Sequence, residues 1–346
     1  MIEKPVIKRV TMLDVAKQAG VSYQTVSRVI NHHPSVAPET RERVLSVIGA
    51  LNYRPNKAAR SLAARQSRTI AVITYTMAYY GPTQMVVNIE RNAREAGYDV
   101  IFSNIEPMSG DGIDAAVERL TQWAVDGVLL IAPVASNRYA HLVQEVSDIP
   151  LIQIDIAPGA PVPSVIVDQR YGSRIITQHL ISLGHRRICE ISGPLYWFGA
   201  LARHEGWQET IKNANLEPVA SVEGDWTAKS GYAAAQSLLD KHRFTALVVG
   251  NDQMALGAIS ALHARGVRVP EDVSVVGFDD IPESAYFLPP LTTIRQDFSE
   301  LGRQGLDYLV GLIQGLQDGD GQHVITPELV VRDSTAPPNS TLVQPI

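Results

Sequence analysis

Cysteine is almost absent. Among 346 residues only Cys189 is present, so neither an internal disulfide nor a cysteine metal cluster can form. Its side chain is expected to pack as a small hydrophobe. No stretch reaches the roughly 20 apolar residues a membrane span needs. The opening Met1-Ile2-Glu3-Lys4-Pro5 has no apolar core of a secretory signal. A cytoplasmic protein with no membrane partner is therefore expected. Gly-rich phosphate loops, paired metal ligands and the Gly-x-Ser-x-Gly elbow are also missing. No cofactor and no metal are expected, and an enzyme is disfavoured. His185, the most tempting catalytic side chain, follows Leu183-Gly184 at a helix end, where a capping or packing role is commoner.

The length instead calls for two or three domains. Apolar residues make up 45% and charged residues 19%, as in soluble globular proteins. Charge is unevenly spread. Residues 1–65 hold eleven Lys and Arg against four acids, a net of +7, while the whole chain is −6 and the remainder −13. A basic head on an acidic body points to a polyanion as the partner of the head alone. A merely solvated basic surface accounts for the charge equally well.

The head reads as three short helices. Thr11 caps the first, with Asp14 at the favoured acidic position and Leu13, Val15 and Ala16 as its apolar side. Gly20 stops it. Ser22 caps a second helix from about Tyr23 to Asn31, with Val26, Val29 and Ile30 inward and Tyr23, Gln24, Thr25, Ser27 and Arg28 outward. Pro38-Glu39 opens a third, whose core face is Val44, Val47, Ile48 and Leu51. This is the pattern of a helix-turn-helix, whose second helix fits a major groove. Arg bridges the two acceptors of guanine, and Gln pairs with adenine. The bland alternative is a three-helix bundle with polar surface residues.

Val15-Ala16, Ala19-Gly20-Val21-Ser22, Thr25-Val26-Ser27-Arg28-Val29 and Asn31, followed by Asn52-Tyr53-Arg54-Pro55-Asn56, resemble the head of the LacI/GalR family of bacterial transcriptional regulators. The resemblance implies double-stranded operator DNA as partner. It implies base reading by Tyr23, Gln24 and Arg28, and further contacts from Thr11, Ser22, Thr25, Ser27, Asn31 and Tyr53. The alanine-rich run 57–64 favours helix but is too short to be stable alone. In the family such hinge helices pair in the minor groove. Asn56 and Ala59 would lie there, with Leu62 as an apolar wedge.

From Thr69 onward, strand-length apolar runs recur at 70–73, 100–102, 128–131, 151–154, 165–167, 188–191, 246–249 and 273–276. Amphipathic segments such as 86–95, 114–123 and 254–264 separate most of them. That alternation means parallel sheets covered on both faces, and two doubly wound subdomains suit it better than a barrel. The expected fold is α/β: a three-helix head over 1–55, a hinge helix or linker over 56–68, a two-subdomain core over 69–340 that binds effector and dimerises, and a tail over 341–346.

Ligands bind past the carboxyl ends of such strands. Asp155, Asn251-Asp252 and Asp279-Asp280 stand there, with Arg203 and Trp226 of suitable type for a polyhydroxylated ligand. Each alone is commonly a cap or a core residue. Asn251–Ala258, Val275–Asp280, Pro289–Ile294 and Leu183-Gly184-His185 also resemble core motifs of the family. The resemblance is narrower, to its lactose-type branch, at Glu223–Trp226 and Gln296–Phe298. It implies an inducer pocket lined by Asp155, Arg203, Trp226, Asn251, Asp279 and Phe298, together with Tyr75, Met85 and Gln296. It implies a periplasmic-binding-protein-like core and repression of a galactoside-type operon relieved by a sugar. A non-galactoside effector and co-repressor control are alternatives. A periplasmic sugar-binding protein is disfavoured by the basic head. Tyr196-Trp197-Phe198 and Tyr75 are bulkier than that branch leads one to expect. After Pro337-Pro338 eight residues remain, with no leucine heptads, so a homodimer is expected, which suits a palindromic operator.

Overall fold

The computed structural model describes residues 10–31, 33–54, 66–74, 76–104, 118, 120, 122–131, 133, 144, 146, 148–319 and 321–339. The chain divides into two compact units between Ser67 and Arg68.

The first unit holds α1 (Met12–Ala19), α2 (Tyr23–Ile30) and α3 (Pro38–Ala50). Thr11 and Asp14 form a reciprocal capping box at the start of α1, satisfying two otherwise orphaned N–H groups. Gly20 ends α1 at φ 64°, a left-handed conformation that glycine adopts without strain. Ser22 Oγ accepts from Thr25 N at 3.1 Å and so caps α2. Val15, Ala16, Ala19, Val26, Val29, Val44 and Tyr53 form the buried core. Leu13 is 65% exposed, contrary to expectation. The apolar stripe of α1 follows the i, i+3, i+4, i+7 rule from Met12 through Val15, Ala16 and Ala19, which leaves Leu13 on the outer flank.

The second unit contains two parallel sheets. One has six strands in the order β11-β5-β4-β3-β1-β2: β1 (Thr69–Thr74), β2 (Asp99–Asn104), β3 (Gly127–Ile131), β4 (Leu151–Ile154), β5 (Ser164–Val167) and β11 (Gln322–Ile325). The other runs β7-β6-β8-β9, with β6 (Ile188–Ser192), β7 (Ser221–Glu223), β8 (Ala246–Val249) and β9 (Ser274–Val276). A short antiparallel pair joins β10 (Thr293–Arg295) to β12 (Glu328–Val330). Strands β3, β5, β6 and β8 are buried along their whole length, which explains their largely apolar composition; Glu190 in β6 is the charged exception and bonds to His204 and Ser221. Cys189 is buried in this core.

Helices cover the sheets: α4 (Tyr80–Glu95), α5 (Gln169–Ser182), α6 (Phe198–Asn213), α7 (Ala228–Lys241), α8 (Asp252–Ala264) and α9 (Phe298–Ile313). The segment expected as helix over 114–123 falls largely outside the described residues; Glu118, Leu120, Gln122 and Trp123 within it are helical. The chain passes from the first sheet to the second between β5 and α5. It returns between β10 and α9, which packs on α4 and on the first sheet, and crosses again between β11 and β12. His185 is fully buried, bonded to Thr245 Oγ1 at 2.9 Å and to the Ala336 carbonyl at 2.9 Å. It fastens the chain's last described segment to the second sheet. No helix among the described residues is long and apolar enough to cross a membrane.

Candidate functional site

Helix α2 turns its polar side outward. Tyr23, at 51% exposure, Gln24, Arg28 and Asn31 stand on the surface, and Thr25 and Ser27 are half-buried. Val26 and Val29 anchor the opposite side in the core, so the register of the reading face is fixed by packing. Thr11 and Ser22 spend their hydroxyls on their own helix starts. Tyr53, expected to touch DNA, is instead buried at 8% exposure in the head core and offers a groove little surface. Asn56, Ala59 and Leu62 lie outside the described residues.

In the second unit, the strand ends of both sheets converge on one cleft, a cavity of about 50 Å³ that opens to solvent. Eight of the nine residues expected there line it: Met85, Asp155, Arg203, Trp226, Asn251, Asp279, Gln296 and Phe298. The ninth, Tyr75, lies outside the described residues. Strained backbone marks the spot. Asp155, Trp226 and Asp279 have φ of 59°, 73° and 112°, a region non-glycine residues rarely adopt except where a site requires it. Each directly follows, or lies just beyond, a strand that cannot continue and must turn its side chain into the cleft.

Arg203, one turn into α6, is the polar centre. Its Nε donates to Gln169 Oε1 at 2.8 Å and its Nη1 to the Gly250 carbonyl. Its Nη2 lies 3.7 Å from Asp279 Oδ1. The guanidinium stacks 3.8 Å above the Phe278 ring centroid. Asp279 Oδ1 also accepts from Gln296 Nε2 at 2.6 Å. Burial pushes the Asp279 carboxyl up to about 6, opposed by Arg203. Burial likewise raises Asp155. Tyr80, pushed up to about 12 by burial and then by Asp279, keeps its hydroxyl proton. Asn251 caps α8 through Met254 N at 2.9 Å and holds the Trp226 carbonyl at 3.1 Å. Asp252 does not line the cleft; it accepts from Ile281 N and Thr293 Oγ1 and ties the β9 loop to β10.

An aromatic wall faces this polar group. Trp197 meets Tyr79 edge-on at 5.5 Å and Trp226 at 5.7 Å between ring centroids. Tyr80 meets Phe298 at 5.8 Å. A Cβ on Gly193 would sit 2.1 Å from the Trp226 ring, so only glycine lets the indole lie there. Of the bulky segment 196–198 only Trp197 lines the cleft; Tyr196 is 63% exposed. Trp197, from the bulky run noted at 196–198, lines the cleft, and so do Tyr79, Tyr80 and Gln169, which were not among the expected residues. The aromatic run at 196–198 was a signal for Trp197. Gln169 gave none.

A helix-turn-helix head on the same chain as a two-sheet ligand cleft defines a ligand-responsive DNA-binding regulator. Comparison with known proteins gives the particular family. Residues 11–56 match the model of bacterial regulatory proteins, lacI family, and residues 177–335 match that of the periplasmic binding protein-like domain. The chain is 38% identical over 340 residues to the lactose operon repressor of Escherichia coli (strain K12), covering 98% of this chain and 94% of that protein. It is also 38% identical over 331 residues to the transcriptional repressor PurR of Haemophilus influenzae (strain Rd), covering 94% and 98%. Among solved structures, the lac repressor dimer bound to operator and the anti-inducer ONPF superposes with a TM-score of 0.90 at 38% identity, covering 95% of this chain and all of that one. The regulator CelR in complex with cellobiose gives 0.72 at 33% identity, covering 94% and all of that chain. The chain belongs to the LacI family, and it is a DNA-binding transcriptional repressor of that family.

Proposed function

We propose that this repressor controls a sugar-utilisation operon and is released from its operator by a neutral sugar of galactoside type. The cleft carries this reading: one guanidinium, two carboxylates and three amides line it together with Trp197, Trp226 and Tyr79. Carboxylates and amides take pairs of hydroxyls, and indoles pack against the apolar face of a sugar ring. Arg203 is the one cation among the described lining residues and already stands 3.7 Å from Asp279, so little positive charge is left to hold a phosphorylated or acidic ligand. The matched lactose operon repressor adds support.

On the DNA side, Tyr23, Gln24 and Arg28 read base edges in the major groove. Thr25, Ser27 and Asn31 contact the backbone around them, and the helix starts at Thr11 and Ser22 approach phosphates. Asn56, Ala59 and Leu62 act at the central minor groove of a palindromic operator held by a homodimer, in the cytoplasm. Sugar binds the low-affinity DNA state better, and by linkage operator weakens sugar binding by the same factor.

A second reading has one observation behind it. PurR is matched at the same identity as the lactose operon repressor, and its presence among the relatives favours a different effector or co-repressor control. Titrating the protein onto a symmetric lactose-type operator at fixed salt, with and without a sugar panel, separates the two. Release by a galactoside is expected. Tighter operator binding on adding any ligand would establish co-repression instead. Failure to bind that operator would overturn the base-reading assignment of Tyr23, Gln24 and Arg28.

A further inference from the structure

Four side chains in the cleft close into a ring. Arg203 Nε donates to Gln169 Oε1 at 2.8 Å, Gln169 Nε2 donates to Gln296 Oε1 at 2.7 Å, and Gln296 Nε2 donates to Asp279 Oδ1 at 2.6 Å. Asp279 Oδ1 returns to Arg203 Nη2 at 3.7 Å. Gln169, Gln296 and Asp279 are 6–7% exposed, so their polar atoms depend on one another rather than on water.

The direction of the ring is fixed by its ends. A guanidinium only donates and a carboxylate only accepts. Each amide between them therefore has one allowed orientation: oxygen towards Arg203, nitrogen towards Asp279. Turning either amide would set oxygen against oxygen or nitrogen against nitrogen.

Its position in the fold is equally specific. Gln169 is the first residue of α5, immediately after the chain leaves the first sheet. Gln296 lies between β10 and α9, where the chain returns. The third crossing is tied to the first by the bond from Asp168 N to the Ile325 carbonyl, 2.9 Å. Arg203 and Asp279 belong to the second sheet's layer. The ring thus spans two of the three crossings and ends on the two charged groups that line the cleft.

We propose that Gln169 is a positioning residue of the effector site, aiming Arg203 and Asp279 and coupling their aim to the angle between the subdomains at the chain crossings. The inference rests on the cleft being the effector site. A change of angle displaces Gln169 relative to Gln296, breaks the 2.7 Å bond between them, and frees Arg203 and Asp279 to turn. A ligand held by those two groups therefore selects one angle. The other ionisable groups acting on Asp279 are Arg203 and Asp155; Asp252 and Tyr80 also feel its charge. None of them replaces the amide link.

The test compares the full-length wild type with Gln169→Leu, which removes the link at similar volume, and Gln169→Glu, which keeps the acceptor for Arg203 but sets an oxygen against Gln296. The probe is methyl β-galactoside, followed by fluorescence of the cleft tryptophans. Both variants are expected to lose roughly tenfold or more in sugar affinity. Gln169→Glu is further expected to move the pH midpoint of the sugar-free tryptophan signal upward from the wild-type value, because a turned Gln296 needs a protonated Asp279. The added charge of Gln169→Glu raises that midpoint by itself, so the double variant with Gln296→Leu, which keeps the charge and removes the turned amide, is the control: the ring requires the shift to shrink there, whereas a purely structural role leaves it as large. Unchanged sugar affinity in both single variants overturns the proposal. If the wild type binds no galactoside, the galactoside assignment falls and the sugar-free pH arm decides: a shift that shrinks on adding Gln296→Leu supports the ring, and one that does not overturns it.

Discussion

The head and the cleft solve opposite problems. The head keeps its reading residues on the outside of one helix and buries only what fixes that helix. Tyr23, Gln24 and Arg28 are exposed, while Val26 and Val29 behind them are buried. The cleft buries its polar residues and holds several in strained backbone. A DNA-reading face must meet a large, hydrated polyanion, so exposure costs it nothing. A sugar site must offer pre-aimed donors and acceptors away from water, so each one needs a partner when the ligand is gone. Damage to the head should therefore be local, whereas damage to the cleft should spread.

Arg203 gives the largest test of that contrast. Arg203→Met leaves Asp155 and Asp279 buried without their cation, which typically costs about 3–5 kcal/mol. A lowered melting temperature and loss of sugar response are expected, with the head still binding DNA at temperatures where the body is folded. A stable, sugar-responsive variant would show that the buried charges are not coupled. Next comes Gly193→Ala. The added methyl meets the Trp226 ring at 2.1 Å, and forcing such a contact costs roughly 1–3 kcal/mol. Calorimetry should show weaker sugar binding, and unaltered binding would mean the indole has room to move.

Arg28→Ala sharpens the other side. It should cost roughly 1–3 kcal/mol on operator and relax specificity at one base pair, leaving DNA-free sugar affinity unchanged. Equal loss on every sequence would reduce Arg28 to a phosphate contact.

A pH effect follows from Asp279. Its carboxyl is pushed up to about 6 from an ordinary value of 3.8. The carboxylate form pairs with Arg203 and accepts hydroxyls, so sugar affinity should hold above about 6 and fall as pH drops through it. Folding has the opposite sign: a raised carboxyl contributes stability below 3.8 that is lost as pH rises through about 6. Isothermal titration between pH 5 and 8 checks this window; a flat profile would remove Asp279 from the sugar contacts. The smallest effect is expected at Ser22→Ala, where losing the α2 cap costs about 1 kcal/mol, seen as earlier melting of the head alone.

The same contrast explains what could be read from sequence. In the head, capping residues, glycine stop and apolar stripe are neighbours along the chain, so α1 to α3 follow from local spacing; only Leu13, displaced from the core by Met12, and the buried Tyr53 run against expectation. In the body, the fully buried strands stand out as apolar runs. Short strands β7 and β11 do not, because exposed polar positions such as Ser221, Glu223 and His323 interrupt them. The strand-end residues Asp155, Asn251 and Asp279 were legible because a parallel sheet directs ligands there. Gln169 was not. Its significance arises from Arg203, 34 residues away, and Gln296, 127 residues away, and no local pattern encodes such a meeting.

The central claim is that one chain couples an exposed reading helix to a buried sugar cleft. It is tested most directly by measuring galactoside affinity with and without saturating operator at one salt concentration. Operator is expected to weaken sugar binding by the same factor by which sugar weakens operator binding. Sugar affinity that ignores operator would contradict it.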